Sequence, residues 1–492
     1  MFESAQIGHK LTKSAYHREE PKLRAALLEA QYELLAKAEF PVIVVIGGVD
    51  GAGKGETVNQ LNAWMDPRHI STEAFGPMSQ HERQRPDMWR FWKVLPPKGK
   101  IAILFGSWYT DPIVARALGE QKNSVFEERL ERIRHFERML VAEGALVLKL
   151  WFHLSKKAQK KRFRKLEADP LKAWHVTPED WANHKLYDAY LPVCEEALRA
   201  TSTGEAPWQV IEASDTRFRE LTAGKLLLAA LRRRLEGPPL EQSPPTPPPT
   251  PPIDKRTILN QLDYTQKLTR KAYEQRLEAA QARLNKLTRW RKMRDRALVV
   301  VMEGLDAAGK GSSIRRMTQA LDARHYRVIP IAAPSEEERA RPYLWRFWRH
   351  VPKHGHVTIF DRSWYGRVLV ERVEKLCSEF EWMRAYDEIN QFERELADNG
   401  TVVVKFWLAI SPEEQLRRFE ERKEIAWKQY KLTPDDWRNR ARWAQYEHAV
   451  CDMVDRTSVG HAPWHVIAAE DKLFARVAVL ETICAAVEKA LQ

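Results

Sequence analysis

Two glycine-rich loops of one unusual pattern, 256 positions apart, constrain this 492-residue chain more than any other feature. The first reads VVIGGVDGAGKGET from Val44 to Thr57, and the second reads VVMEGLDAAGKGSSI from Val300 to Ile314. In each, an apolar β-branched run breaks into glycines and then a lysine, which predicts strand, phosphate loop and helix in succession. Gly304, Gly309 and Lys310 keep the spacing in which backbone N–H groups wrap a phosphate and the lysine supplies a cation. Gly48, Asp50, Gly53, Lys54 and Gly55 match Gly304, Asp306, Gly309, Lys310 and Gly311 one for one. The Ser or Thr that usually follows the lysine and holds magnesium is replaced by glycine in both copies, at Gly55 and Gly311. Asp306 instead places a carboxylate inside the loop, which suggests that a metal ligand has moved there.

The same register holds far beyond the loops. WRFW recurs at 89–92 and 345–348, SWY at 107–109 and 363–365, and APW at 206–208 and 462–464, while TPEDW at 177–181 answers TPDDW at 433–437. One domain has therefore been duplicated without net insertion in that span. Apolar runs such as Val42 to Ile46, Ile101 to Phe105 and Leu146 to Phe152 alternate with helical segments, so each half is expected to be a complete α/β unit. A parallel sheet covered on both faces follows from strands that are apolar on both sides. A helical lead-in precedes each loop, the second beginning at Thr257. The stretch from Pro238 to Pro252, PPLEQSPPTPPPTPP, reads as an extended polyproline linker. The expected division is 1–237, a linker at 238–252, and 253–492.

No run of about 18 apolar residues is present and the N-terminus MFESAQIGHKLTK lacks an apolar signal core, so a cytoplasmic protein without a membrane span is expected. Cys194, Cys377, Cys451 and Cys484 form neither a CxxC pair nor a disulfide framework and read as small buried residues. Lys and Arg number 80 against 67 Asp and Glu, a formal +13. That balance attracts polyanions without choosing among nucleic acid, nucleotides and inorganic phosphate chains.

The halves differ where chemistry is decided. VTIFDRSWYGR runs from Val357 to Arg367, a strand ending in Asp361 that would bring a carboxylate beside a phosphate-loop metal; its counterpart reads IAILFGSWYTD. Phe105, Gly106 and Asp111 stand where Asp361, Arg362 and Arg367 stand in the second half, so the first half is expected to be a poor catalyst. Downstream, Arg417, Arg418, Arg422, Lys423, Lys428 and Lys431 lie on a basic helix and loop suited to close over phosphates as a lid. Arg418 is singled out because Arg162 matches it. Arg339, Arg341 and Arg346, near Pro342 and the WRFW word, are further phosphate candidates, whereas Trp345, Phe347 and Trp348 read as core.

The loop GLDAAGKG, the strand end DRSWYGR and the basic lid segment together resemble the polyphosphate kinase 2 family, and the tandem arrangement resembles its two-domain members. The resemblance spans roughly residues 11 to 235 and 265 to 490. It implies two tandem P-loop kinase domains of the thymidylate-kinase kind, each a parallel sheet covered by helices with a helical lid. It also implies Mg2+ dependence and transfer of a terminal phosphoryl group from inorganic polyphosphate to AMP, giving ADP. By motif position it assigns metal and phosphate roles to Asp306, Lys310, Asp361, Arg362 and Arg367, with the lid cations on the polyphosphate. An ATP-dependent nucleoside monophosphate kinase and a polyphosphate-dependent nucleoside diphosphate kinase stay open as alternatives. So does a nucleic-acid binder, although no nucleic-acid motif is present. The oligomeric state is also left open, a homo-oligomer included.

Overall fold

In the computed structural model, residues 1–237, 256–425 and 433–492 are described. The linker expected at 238–252 and the lid residues Lys428 and Lys431 lie outside them. The first half builds β1 (Val42–Gly48), β2 (Ile70–Ala74), β3 (Ile101–Phe105), β4 (Leu146–His153) and β5 (Trp208–Glu212). The second builds β6 (Ala297–Gly304), β7 (Tyr326–Pro330), β8 (Val357–Asp361), β9 (Thr401–Ala409) and β10 (Trp464–Ala468). Each set forms one five-stranded sheet, in the orders β2-β3-β1-β4-β5 and β7-β8-β6-β9-β10, and every pairing is parallel. The phosphate-loop strands β1 and β6 are central. Their residues Val42 to Val45 and Leu298 to Met302 are almost fully buried, which is why both read as unbroken apolar runs rather than alternating ones.

Helices close both faces of each sheet. In the first half the lead-in helix Lys13–Lys37 packs Leu23, Leu27, Ala30 and Leu34 into the core with Leu227 and Leu231 of the helix Thr216–Glu236. In the second, the helices Arg270–Arg289 and Lys472–Leu491 do the same through Leu284, Leu480, Ile483 and Val487. The second lead-in helix starts later than the sequence suggested. Between Thr257 and Thr265, side chains bind nearby backbone instead: Asn260 Oδ1 accepts from Thr257 N (2.9 Å) and Asp263 Oδ1 from Thr265 N (2.9 Å). Such local bonds compete with helix formation.

The compact units do not fall simply at the proline-rich segment. The first comprises Met1–Pro77, 90–237 and Pro334–Trp345, and the second takes Met78–Trp89 with the remaining described residues. Residues 334–345 include the short helix Glu336–Arg339, capped by Ser335 and Glu338, and are fixed within the first unit by long-range bonds. Lys98 N donates to Ala340 O (2.8 Å) and Tyr343 N to Glu143 (3.0 Å). Among the described residues no helix is long and apolar enough to cross a membrane.

The repeated SWY words are structural. Trp364 Nε1 (3.0 Å) and Tyr365 Oη (2.7 Å) donate to Glu393, and Lys405 Nζ donates to Glu393 (2.7 Å) and Thr457 O (2.7 Å). Trp108, Tyr109, Glu137, Lys149 and Thr201 repeat the arrangement in the first unit. A buried Lys–Glu pair survives only when both ions are satisfied, so each half spends two aromatic donors on satisfying one carboxylate.

Candidate active site

β6 ends at Gly304, whose φ of +149° and proximity to Leu408 O, 2.7 Å from where a Cβ would sit, leave room for glycine alone. The chain then loops to Gly309 and starts the helix Lys310–Thr318, so the helix's unpaired N–H groups face the loop's concave side. Lys310 Nζ folds back onto Gly304 O (2.5 Å) and Leu305 O (3.3 Å). Burial pushes its ammonium below the usual lysine range, against the opposing pull of Asp306.

Above this loop lies a cleft of about 760 Å³. Lys310, Arg315, Arg316, Arg362, Arg418, Arg422, Lys472 and Arg476 line it, against Asp306, Asp361, Glu421 and Asp436. Eight cations to four anions make it a site for a multiply charged anion. Sequence reading missed Arg315, Arg316, Lys472 and Arg476, although comparing the halves would have exposed them: Asn59, Gln60, Thr216 and Glu220 occupy the matching positions.

Asp306 is held inside the loop. Its Oδ1 accepts from Arg362 (3.0 Å) and its Oδ2 from Asn439 (2.9 Å). Burial alone would raise its pKa, but Lys310, Asn439 and Arg362 outweigh it and keep the carboxyl below the usual range. Asp361, at the end of β8, also lines the cleft, and among the described residues its carboxylate makes no hydrogen bond or ion pair. No group of three or more His, Cys, Asp or Glu is placed among these residues to cage a metal by itself. Two carboxylates beside a phosphate loop nevertheless fit magnesium, which favours one or two carboxylates together with water and substrate phosphate oxygens. Asp361 is the more available of the two. Glu303, another residue not foreseen, accepts from Ser363 Oγ (2.8 Å) and fixes the turn after β8; burial raises its carboxyl.

Arg362 has a left-handed backbone, φ +63°, as does Ala307 in the loop, φ +64°. Side-chain-bearing residues avoid this region, and retaining them there is characteristic of functional turns. Their counterparts Gly106 and Gly51 adopt the same conformation as glycines.

Several expected phosphate ligands are bonded by the protein itself or lie away from the cleft. Arg418 is 2% exposed and donates to Ala307 O (2.9 Å), Ala308 O (3.2 Å), Ala469 O (2.6 Å) and Glu470 O (2.9 Å), besides Glu414. Its guanidinium braces the loop's backbone and is saturated by protein, because the helix Pro412–Glu424 turns this residue inward. Arg367 does not line the cleft; it pairs with Glu371 (2.9 Å) and Glu381 (3.0 Å). Arg341 belongs to the first unit, where it donates to Leu95 O (3.3 Å) and covers Trp345. Arg339 bonds Pro334 O, and Arg346 is buried and bonds Ala332 O. Lys423 stands over Trp437, 4.6 Å from the ring centre, away from the cleft lining that includes Arg422.

The first unit keeps the scaffold. Lys54 Nζ bonds Gly48 O (2.7 Å) and Val49 O (3.0 Å), while Asn183 donates to Asp50 (3.0 Å) as Asn439 does to Asp306. What differs is the mouth of the loop. Glu56, in the position of Ser312, accepts from Arg162 (2.9 Å) and Arg219 (2.7 Å), so a carboxylate of the chain itself already takes the arginines beside the helix start.

Residues 10–237 and 267–492 each match the family described as Polyphosphate kinase 2. Over 491 residues the chain is 52% identical to the polyphosphate:AMP phosphotransferase of Pseudomonas aeruginosa, covering 100% of this chain and 99% of that one. A relative from Rhizobium meliloti, ADP-polyphosphate phosphotransferase 2, is 42% identical over 210 residues, 43% of this chain and 69% of its own. A crystal structure of a polyphosphate kinase 2 from Pseudomonas aeruginosa superposes with a TM-score of 0.91 at 50% identity, covering 100% of this chain and 99% of that one. Taken with the doubled phosphate loop and the basic cleft above the second, these matches show that the chain belongs to the polyphosphate kinase 2 family.

Proposed function

We propose that this chain transfers the terminal phosphoryl group of inorganic polyphosphate to AMP, giving ADP, with Mg2+ and in the cytoplasm, and that catalysis takes place in the second unit. The observation that carries this reading is the cleft over Lys310, where seven cations besides the protein-bonded Arg418 exceed what one mononucleotide needs and suit a chain of phosphates. The acceptor is inferred from architecture. The relative named for AMP spans both halves, whereas the one named for ADP matches less than half of this chain.

Phosphoryl transfer needs positioning and charge neutralisation more than covalent chemistry. Lys310 and the helix N-terminus would cradle the terminal phosphate, with Arg362 released from Asp306 to meet charge on the moving group. Asp361, with Asp306 beside it, would hold magnesium, whose charge the phosphoryl oxygens would share. An AMP phosphate is already ionised at neutral pH, so no strong general base is required. Arg418 acts as a positioning residue, keeping the loop's carbonyls turned away from the phosphates.

The direct test is ADP formation from AMP with magnesium and polyphosphate in the absence of ATP. Turnover with ATP but not polyphosphate would overturn the donor assignment. Turnover of ADP but not AMP would overturn the acceptor.

A further inference from the structure

The first unit contains a cavity of about 370 Å³ beside its phosphate loop that the proposed reaction does not use. Three charged side chains of the second unit have uncharged counterparts around it. Gly47, Phe105 and Gly106 replace Glu303, Asp361 and Arg362, while Phe75 replaces Ile331. Trp151 covers the space Glu303 would need: a Cβ on Gly47 would lie 2.9 Å from its ring. The walls are aromatic, formed by Phe75, Phe105, Tyr109, Trp151, Tyr190 and Trp208. Trp151 and Trp208 meet edge-on at 6.1 Å, and Tyr109 and Trp208 do so at 5.0 Å, so the lining is packed rather than collapsed.

Charge narrows the ligand. Lys54 and Asp50 are the charged residues that line the cavity, and they lie 3.7 Å apart, cancelling one another. The neighbouring anion cradle is filled by Glu56. A phosphate therefore has no net attraction here, in contrast to the eight-cation cleft of the second unit. Yet the cavity is not purely apolar. Asn183, Ser107 and Thr110 line it, and Trp151, 5% exposed, carries a buried Nε1 donor without a hydrogen-bond partner among the described residues. An unsatisfied buried donor calls for an acceptor. Flat aromatic walls, a few polar groups at their edge and a neutral interior describe a pocket for a heteroaromatic ring.

We propose that the first unit binds an uncharged purine nucleoside, its base stacked among these aromatic side chains, without metal and without phosphoryl transfer. The probe is adenosine, titrated calorimetrically into the full chain in the presence of a chelator. Val114→Trp should fill the cavity and remove one binding event. Tyr190→Ala, at a half-exposed position, should weaken that event by about tenfold or more, since stacking on an aromatic side chain contributes on that order. Thermal melts of both variants report folding, and Tyr190→Ala keeps the test decisive if Val114→Trp does not fold. Failure of adenosine to bind, or binding that neither substitution alters, overturns the proposal. So does displacement of adenosine by inorganic tripolyphosphate together with its loss in Lys54→Ala, which would show a phosphate site instead.

Discussion

The two units share a strand order, a phosphate loop, an Asp–Asn contact and a buried Lys–Glu cluster, yet they differ in most of the charges around the loop. Asp361, Arg362, Arg315, Arg316, Lys472 and Arg476 are Phe105, Gly106, Asn59, Gln60, Thr216 and Glu220 in the first half, and Ser312 is Glu56. The difference teaches that the loop is a scaffold and the charge around it is the site. Fold was retained where packing required it; the electrostatics were free to change sign.

Lysine substitution breaks the comparison most sharply. Lys310→Ala should nearly abolish polyphosphate-dependent turnover, because removing one preorganised donor costs about 10² to 10³ in rate and this one sits at the loop's centre. Lys54→Ala should leave most of the activity, since Glu56 already closes its loop. Both are measured at saturating substrates with folding checked by melt. Equal losses would mean that the first unit is a working active site and that the contrast drawn at Phe105 is wrong.

Asp361→Asn comes next. Among the described residues its carboxylate makes no hydrogen bond or ion pair, so the substitution should leave the melting temperature unchanged while lowering turnover by about 10² to 10³ and raising the magnesium required. A normal rate with normal magnesium dependence would place the metal on Asp306 or elsewhere.

Much of this contrast was legible beforehand, and what was not has a common physical cause. β1, β3, β6 and β8 declare themselves as apolar runs, and the loss of Asp361 and Arg362 from the first half is read directly from the repeat. Side-chain direction is not. Arg418 and Arg422 lie one turn apart on the same basic helix and both line the cleft, yet Arg418 is buried with its guanidinium bonded to loop carbonyls. Arg341 has the right charge, but tertiary contacts fix it in the first unit. Arg476 sits on a helix whose long apolar face reads as core, which hid a cleft residue. Glu56 was visible as a glutamate opposite Ser312; only its bonds to Arg162 and Arg219 explain why it matters.

Arg476→Glu imports the first half's residue at the position of Glu220 and sharpens the electrostatic side of the comparison. Arg476 donates to Ser312 Oγ (3.3 Å) at the helix start, so reversing its charge should raise the KM for polyphosphate by about tenfold to a hundredfold with a smaller change in kcat. The effect should shrink as salt is added. A loss confined to kcat would make Arg476 part of the transfer step instead of the binding surface.

The smallest effect concerns backbone strain. Ala307 holds a left-handed conformation that Gly51 adopts without a Cβ, and that conformation costs an L-residue on the order of 1–2 kcal/mol. Ala307→Gly should therefore stabilise the second unit by about 0.5–1 kcal/mol after the added freedom of the unfolded chain is counted, a rise of a few degrees at most. The reverse change is not symmetrical: a Cβ on Gly51 would meet Phe163 at 2.5 Å, so Gly51→Ala should destabilise the first unit by more than Ala307→Gly stabilises the second. Activity should survive Ala307→Gly, because the Ala307 carbonyl remains bonded to Arg418. Melting curves of the two variants beside the parent chain decide it. A lower melting temperature for Ala307→Gly would show that the loop's left-handed turn is relaxed in the active half, and that the two loops differ in charge alone.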